Sequence, residues 1–229
     1  MNLCIIPARG GSKRIPRKNI KEFCGKPLIA YSIEIAIKSN LFNKIVVSTD
    51  DEEIAKISKN YGAEILYRPK ELADDYAGSI EVFEHAINEL NKNNEFRYAC
   101  MIYPTAPFLQ IEYLKKGLEE VKNSDACYSF SATTYDFPIF RGFEIIDNKA
   151  KMIFPEFMKS RSQDLKEVYH DAGQFYWKNL ECSKEFSFND NIPILIPRYL
   201  TQDIDTMEDF IQAENMYKMI INGEWRMEN

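Results

Sequence analysis

The sequence predicts an α/β fold with a mostly parallel sheet, and three observations lead to it. Short apolar runs alternate with segments of helical periodicity, and the runs end at Pro, Gly or Ser/Thr/Asp clusters. The helical segments are also long enough to act as crossovers between neighbouring parallel strands. Leu3–Ile6 is the first strand and breaks at Pro7. Pro27 then opens a helix at its favoured first position, with Leu28, Ile29, Ile33 and Ile37 on one face. Ile45-Val46-Val47 is a buried strand, and the Ser48-Thr49-Asp50-Asp51 cluster caps the helix that carries Ile54 and Ile57. Gly62 stops that helix, Ala63–Tyr67 is the next strand, and a polar loop runs to Gly78. Ser79 is expected to cap a helix through about Leu90. Ala99–Tyr103 is a strand, Ile111–Val121 a helix and Ala126–Ser131 a strand.

Residues 134–175 read differently. Aromatics and prolines crowd there, helical periodicity is lost, and Asp147-Asn148 has the look of a hairpin turn. The stretch is expected to protrude as a small β-rich insertion within a single domain spanning 1–229, with a second copy of the chain covering its apolar surface. The chain returns through Pro193–Pro197 as a strand, then Asp203–Asp209, and ends in a helix through Ile221.

Composition narrows the function. Among 229 residues, 45% are apolar, enough for a sizeable core, while the net charge of −6 argues against broad nucleic-acid binding. No apolar run approaches the length of a membrane span, and Met1-Asn2-Leu3 runs straight into the first strand. No membrane association, no signal peptide and a cytoplasmic location are therefore expected. The five cysteines are scattered without a CxxC pair, so neither zinc nor disulfides are expected. Two histidines are too few for a His-rich metal centre.

Against that acidic background the first loop is locally cationic. Ala8-Arg9-Gly10-Gly11-Ser12-Lys13-Arg14 and Arg17-Lys18-Asn19 place two glycines and five cations after a strand end. Glycine lets backbone N–H groups turn towards an anion, and Arg or Lys supplies the charge. There is neither GxGxxG nor GxxxxGK[ST], so dinucleotide and Walker loops are not indicated. Near the other end, Asp203 and Asp205 stand one residue apart. In an extended segment they point the same way and offer a hard-oxygen site suited to Mg²⁺ with substrate phosphates, although Asp205 or Thr206 also suits an N-cap. The two ends together describe a phosphoryl or nucleotidyl transfer site.

The run Ile6–Arg14 with Lys18-Asn19 closely resembles the signature of the CMP-sialic acid synthetases, cytidylyltransferases that activate acidic nine-carbon sugars. Ser48–Ile54, Arg68–Ala73, Pro104–Phe108 and Asp203–Thr206 match in the same order. Arg161-Ser162-Gln163-Asp164, Tyr169–Trp177, and Tyr103 before Pro104 resemble the branch acting on pseudaminic acid. Branches acting on legionaminic or N-acetylneuraminic acid are the alternatives. A catalytically silent CTP-binding relative is a further alternative, disfavoured by the complete charge set.

The resemblance implies a Rossmann-like nucleotidyltransferase fold, CTP and a nonulosonic acid as substrates, Mg²⁺, and a homodimer whose lobe reaches the partner's sugar pocket. It places Ala8, Arg9, Gly10, Gly11, Ser12, Lys13, Lys18 and Asn19 around the CTP phosphates and ribose, and Arg68 and Ser79 near the cytosine. Tyr103, Arg161, Gln163, Tyr169 and Gln174 are implied for the sugar. Arg161 is favoured as the grip on its carboxylate over Arg141 and Lys159. Asp203 and Asp205 are the implied metal pair, and with Arg9 and Lys18 they form the implied catalytic set.

Overall fold

The computed structural model describes residues 1–73 and 78–221; part of the loop expected before Gly78 lies outside them. In chain order the elements are β1 (Asn2–Pro7), the short β2 (Glu22–Phe23) and β3 (Lys26–Pro27), α1 (Leu28–Ser39), β4 (Lys44–Thr49), α2 (Glu52–Asn60) and β5 (Glu64–Tyr67). Then come α3 (Ser79–Leu90), β6 (Tyr98–Ile102), α4 (Ile111–Asn123), β7 (Tyr128–Thr134), β8 (Phe143–Ile146), β9 (Lys149–Met152), β10 (Tyr169–Asn179), β11 (Ile192–Leu195) and α5 (Met207–Ile221).

Seven of these strands make one sheet in the order β11-β7-β10-β6-β1-β4-β5. Every neighbouring pair is parallel except those of β10, which runs antiparallel to both β6 and β7. Period-two alternation sends Cys4 and Ile6 of β1 to one face, against Leu28, Ile54, Leu114 and Phe210 from four helices. Leu3 and Ile5 face the other way, where α3 contributes Phe83, Ala86 and Ile87. The central strands are covered on both faces, which explains why they read as continuous apolar runs rather than alternating ones.

Strand β10 is the main departure from the sequence reading. Residues 169–175, expected in the insertion, belong to the sheet. Their pattern is hidden because Tyr169–Gln174 is largely polar and because the pairing with β7 shifts between Asp171 and Tyr176. Gly173 lies in that irregularity with φ +60°, a left-handed conformation that glycine adopts without strain. The insertion therefore leaves and rejoins the sheet at one point, where Tyr169 pairs with Thr134. It carries the hairpin β8–β9, whose turn residues Asp147 and Asn148 both have positive φ, as a tight hairpin turn requires.

Two further expectations are corrected. Ser79 is the first helical residue of α3 rather than its cap; Gly78 precedes it and donates its N–H to Glu81 Oε2 at 3.1 Å. Cys127 and Cys182, expected as free thiols, are paired as a disulfide with Cα atoms 5.6 Å apart. Asn179 N–H donates to the Cys127 carbonyl where β10 and β7 lie side by side, so strand pairing brings together thiols 55 residues apart in sequence. That neighbourhood is invisible until β10 is recognised.

Candidate active site

Parallel strands deliver their carboxyl ends to one edge of the sheet, and β10, running the other way, delivers its amino end to the same edge. Pro7, Thr49, Ile102, Thr134 and the start of β10 all arrive there. The loop after β1 is pinned by its backbone: Ala8 N–H donates to the Ser48 carbonyl at 2.9 Å, and the buried Asn19 amide donates to the Arg9 carbonyl at 3.0 Å. Gly10 N–H meets Asp50 Oδ1 at 3.0 Å. Asp51 caps α2 through Ile54 N–H at 2.9 Å and takes a bidentate grip from Arg17, at 2.5 and 2.8 Å. That guanidinium, helped by the backbone bonds, holds the Asp51 carboxyl below its usual range despite partial burial.

Gly10 is required for space. A Cβ there would stand 2.7 Å from Asp51 Oδ2, whereas one at Gly11 would meet nothing within 4 Å. Gly10→Ala is expected to displace the α2 cap and cost about 1 kcal/mol, the usual value of a cap. Gly11→Ala should melt like the wild type, and thermal denaturation of the pair checks the contrast.

Around this loop lies a cavity of about 290 Å³ lined by Arg9, Lys13, Arg14, Lys18 and Arg68 but by only one carboxylate, Asp205, among the described residues. Ser12, Asn19, Ser79 and Tyr103 complete much of its wall. Arg68 is buried and gives Nη2 to the Ser48 carbonyl and Nη1 to the Leu72 carbonyl, while its buried Nε has no partner among the described residues. Burial lowers its pKa, with Arg9 adding to the effect and Asp50 opposing it. Such an excess of positive charge in one concavity is built for a polyanion.

A second, larger cavity of about 700 Å³ adjoins the first, and Tyr103 lines both. The two aspartates divide between them, Asp205 on the first and Asp203 on the second. The N-cap question is answered by Thr206 and Asp209. Thr206 Oγ1 accepts the Asp209 N–H at 3.2 Å, and Asp209 Oδ2 accepts the Thr206 and Asp205 N–H groups at 2.7 and 3.1 Å. Neither Asp203 nor Asp205 is consumed as the side-chain cap. Lys18 reaches across from the first loop to the Ile204 carbonyl at 2.5 Å and to Asp205 Oδ1 at 3.4 Å, and Arg14 joins Asp205 at 2.8 Å. The glycine-flanked cations and the twin aspartates thus converge. Burial first, and the charge of Asp205 second, push the Asp203 carboxyl up.

A family model described as Cytidylyltransferase matches residues 3–221 of this chain. The chain belongs to the cytidylyltransferase family. A pseudaminic acid cytidylyltransferase of Campylobacter jejuni is 46% identical across 95% of this chain and 97% of its own length. An N-acylneuraminate cytidylyltransferase of Escherichia coli is 29% identical, covering 91% of this chain and half of the longer relative. In fold, the chain is similar to a CMP:2-keto-3-deoxy-manno-octonic acid synthetase complexed with CTP, with a TM-score of 0.70 at 13% identity over 96% of this chain and 99% of that one.

Within this cytidylyltransferase frame, Arg9, Ser12, Lys13, Lys18, Asn19, Arg68 and Ser79 of the residues expected at the nucleotide line the first cavity, whereas Ala8, Gly10 and Gly11 lie in the loop without lining it. Those expected at the sugar scatter. Tyr103 stands between the cavities, with its hydroxyl 2.9 Å from Ser79 Oγ and its ring against Tyr176. Gln174 is buried and lines neither cavity; its amide donates to the Leu200 carbonyl at 2.5 Å, holding the segment that leads to the aspartates. Tyr169 is exposed and bonded to Glu167. Arg161 and Gln163 sit on the insertion, with Arg161 Nε on Asp164 at 2.7 Å and its side chain 72% exposed. Neither lines the second cavity of its own chain.

Sequence reasoning also missed Asp136, Asp171 and Arg198, all of which line the second cavity. Asp171 accepts the Gly173 N–H at 2.8 Å and the Tyr176 hydroxyl. His170 lines the same cavity, lies with its ring tilted against Tyr135 and turns Nδ1 to the neighbouring Asp171 carbonyl oxygen. No helix of the described residues is long and apolar enough to cross a membrane.

Proposed function

We propose that this chain transfers CMP from CTP to the anomeric hydroxyl of pseudaminic acid. The observation that carries the reading is the pair of adjoining cavities, one cationic and one mixed, with the two aspartates divided between them. The hydroxyl oxygen bonds to the α-phosphorus as the bond from that phosphorus to the leaving oxygen breaks, releasing pyrophosphate and the hydroxyl proton. Similarity to the Campylobacter jejuni pseudaminic acid cytidylyltransferase supports the choice of sugar.

In this reading Arg9, Lys13 and Lys18 neutralise the phosphates and Gly11 and Ser12 offer a backbone N–H and a hydroxyl, while Gly10, whose N–H is held by Asp50, shapes the loop. Ala8 and Asn19 fix the loop, and Arg68 and Ser79 face the nucleoside. Asp203 and Asp205 fit a divalent cation such as Mg²⁺. They are hard oxygen donors one residue apart, and burial first, then the charge of Asp205, disfavours the bare Asp203 carboxylate, which a cation there would relieve. Two carboxylates leave the remaining positions to phosphate oxygens and water, the way Mg²⁺ is usually held beside phosphates. When bound, such an ion supplies charge neutralisation at the reacting phosphate.

The insertion is the proposed dimerisation lobe. It exposes Phe137, Phe143, Ile145, Ile153 and Met158, a large apolar area for a solvated surface. Docked on a second copy, it brings Arg161 and Gln163 towards the partner's larger cavity, while Tyr169 stays at the start of β10 in its own sheet. The cytoplasm, which holds the CTP pool, is the proposed compartment. The test is a pyrophosphate-release assay with CTP, Mg²⁺ and a panel of pseudaminic, legionaminic and N-acetylneuraminic acids. Pseudaminic acid is expected to give the highest kcat/KM. Preference for another acid overturns the choice of sugar, and CTP binding without turnover of any acid overturns the enzymatic reading.

A further inference from the structure

A 2-ulosonic acid carries its carboxylate on the anomeric carbon itself, one bond from the hydroxyl that attacks the phosphate. Its counter-cation must therefore lie beside the aspartate pair and not at the far end of the sugar. Carboxylates dominate the second cavity: Asp136, Asp171 and Asp203 all line it. A further negative charge enters such a site only if a cation meets it there. Among the described residues lining this cavity, Arg198 is the one permanently charged cation.

We propose that Arg198 grips the carboxylate of the sugar acid and is a specificity-determining residue of this site; the proposal rests on the function proposed above. Arg198 opens a short helical turn, Arg198–Leu200, on the segment that runs directly into Asp203 and Asp205. The segment is held at both ends. Ile196 N–H donates to the Ala132 carbonyl at 2.8 Å, and the Leu200 carbonyl accepts the Gln174 amide at 2.5 Å. The guanidinium makes its two contacts through one nitrogen, Nη1, to the Asp136 carbonyl oxygen at 3.3 Å and to Asp136 Oδ1 at 3.0 Å. Its other edge, Nε with Nη2, has no partner among the described residues and offers the parallel donor pair that fits a carboxylate. Asp136 thus aims the side chain without consuming it. Arg161, by contrast, spends Nε and Nη2 on Asp164, at 2.7 and 3.2 Å.

The test compares the sugar acid with its neutral carboxamide in the full-length enzyme with CTP and Mg²⁺. Wild type is expected to prefer the acid strongly. Arg198→Gln should lower kcat/KM for the acid roughly 100-fold, the scale of losing charge-assisted hydrogen bonds, and leave the carboxamide nearly unaffected, so that the preference collapses. Arg198→Lys should restore part of the preference, and Asp136→Asn, which keeps the guanidinium, should retain it. Melting temperature and CTP affinity of Arg198→Gln are expected to match wild type, since the side chain is half exposed and lies outside the nucleotide cavity. An Arg198→Gln or Arg198→Lys enzyme with undiminished acid preference overturns the proposal, as does a preference erased by Arg161→Gln while Arg198→Gln keeps it. A wild type that turns over none of the sugar acids instead defeats the underlying function, and this inference with it.

Discussion

Replacing Asp203 by Asn is expected to lower kcat by about 10³-fold, the scale of removing one preorganised charge from a transition state. Asn keeps the shape and removes only the charge. Asp203 lines the larger cavity rather than the cationic one, so KM for CTP should move much less than kcat. A second readout separates this role from a structural one. Burial and the charge of Asp205 raise the Asp203 carboxyl, so its ionised form is the less favoured one in the fold. In metal-free protein at neutral pH, Asp203→Asn should therefore raise Tm even as activity falls. The same sign makes the protonated Asp203 the stabilising form, an effect present at low pH and lost as pH rises through its raised value. Turnover within about tenfold of wild type at saturating Mg²⁺ would remove Asp203 from the catalytic set.

Lys18→Met carries the second large effect. Lys18 ties the first loop to the last one, through the Ile204 carbonyl at 2.5 Å and Asp205 at 3.4 Å, and its ammonium faces the cationic cavity. Loss of the ammonium removes the strap between the acidic segment and the glycine loop and, on the proposed function, a charge that neutralises the phosphates. We expect kcat/KM for CTP to fall about 10²- to 10³-fold, with contributions from both kcat and KM. Steady-state kinetics with varied CTP measures this; values within about threefold of wild type would show that the strap is incidental.

The parts of this site that lie in short continuous stretches were readable from the sequence. The run from Ile6 to Asn19 is a strand end, a turn and a set of cations within one loop, so its chemistry follows from local spacing. Asp203 and Asp205 were readable for the same reason, and Thr206 with Asp209 supplies the cap that frees them. The larger cavity was not readable, because it is assembled across the sheet. Its wall depends on β10, whose irregularity sets Asp171 against the Tyr176 hydroxyl and whose pairing with β6 brings Tyr176 against Tyr103. Gln174 entered the sugar set through the family resemblance; the structure buries it as a tie to Leu200. Arg198 left only a faint trace, a lone cation after Pro197 on the way to the aspartates.

The register of Thr134 with Tyr169 has a consequence for how this enzyme diversifies. Everything from 135 to 168 hangs from two residues that already face each other across paired strands, so topologically the protruding arm is a single long loop. Its length and side chains are free to change without rewiring any strand order. On the proposed role of this arm, exchanging the cassette between relatives is expected to change which sugar acid is preferred while leaving KM for CTP in place, which steady-state kinetics would measure.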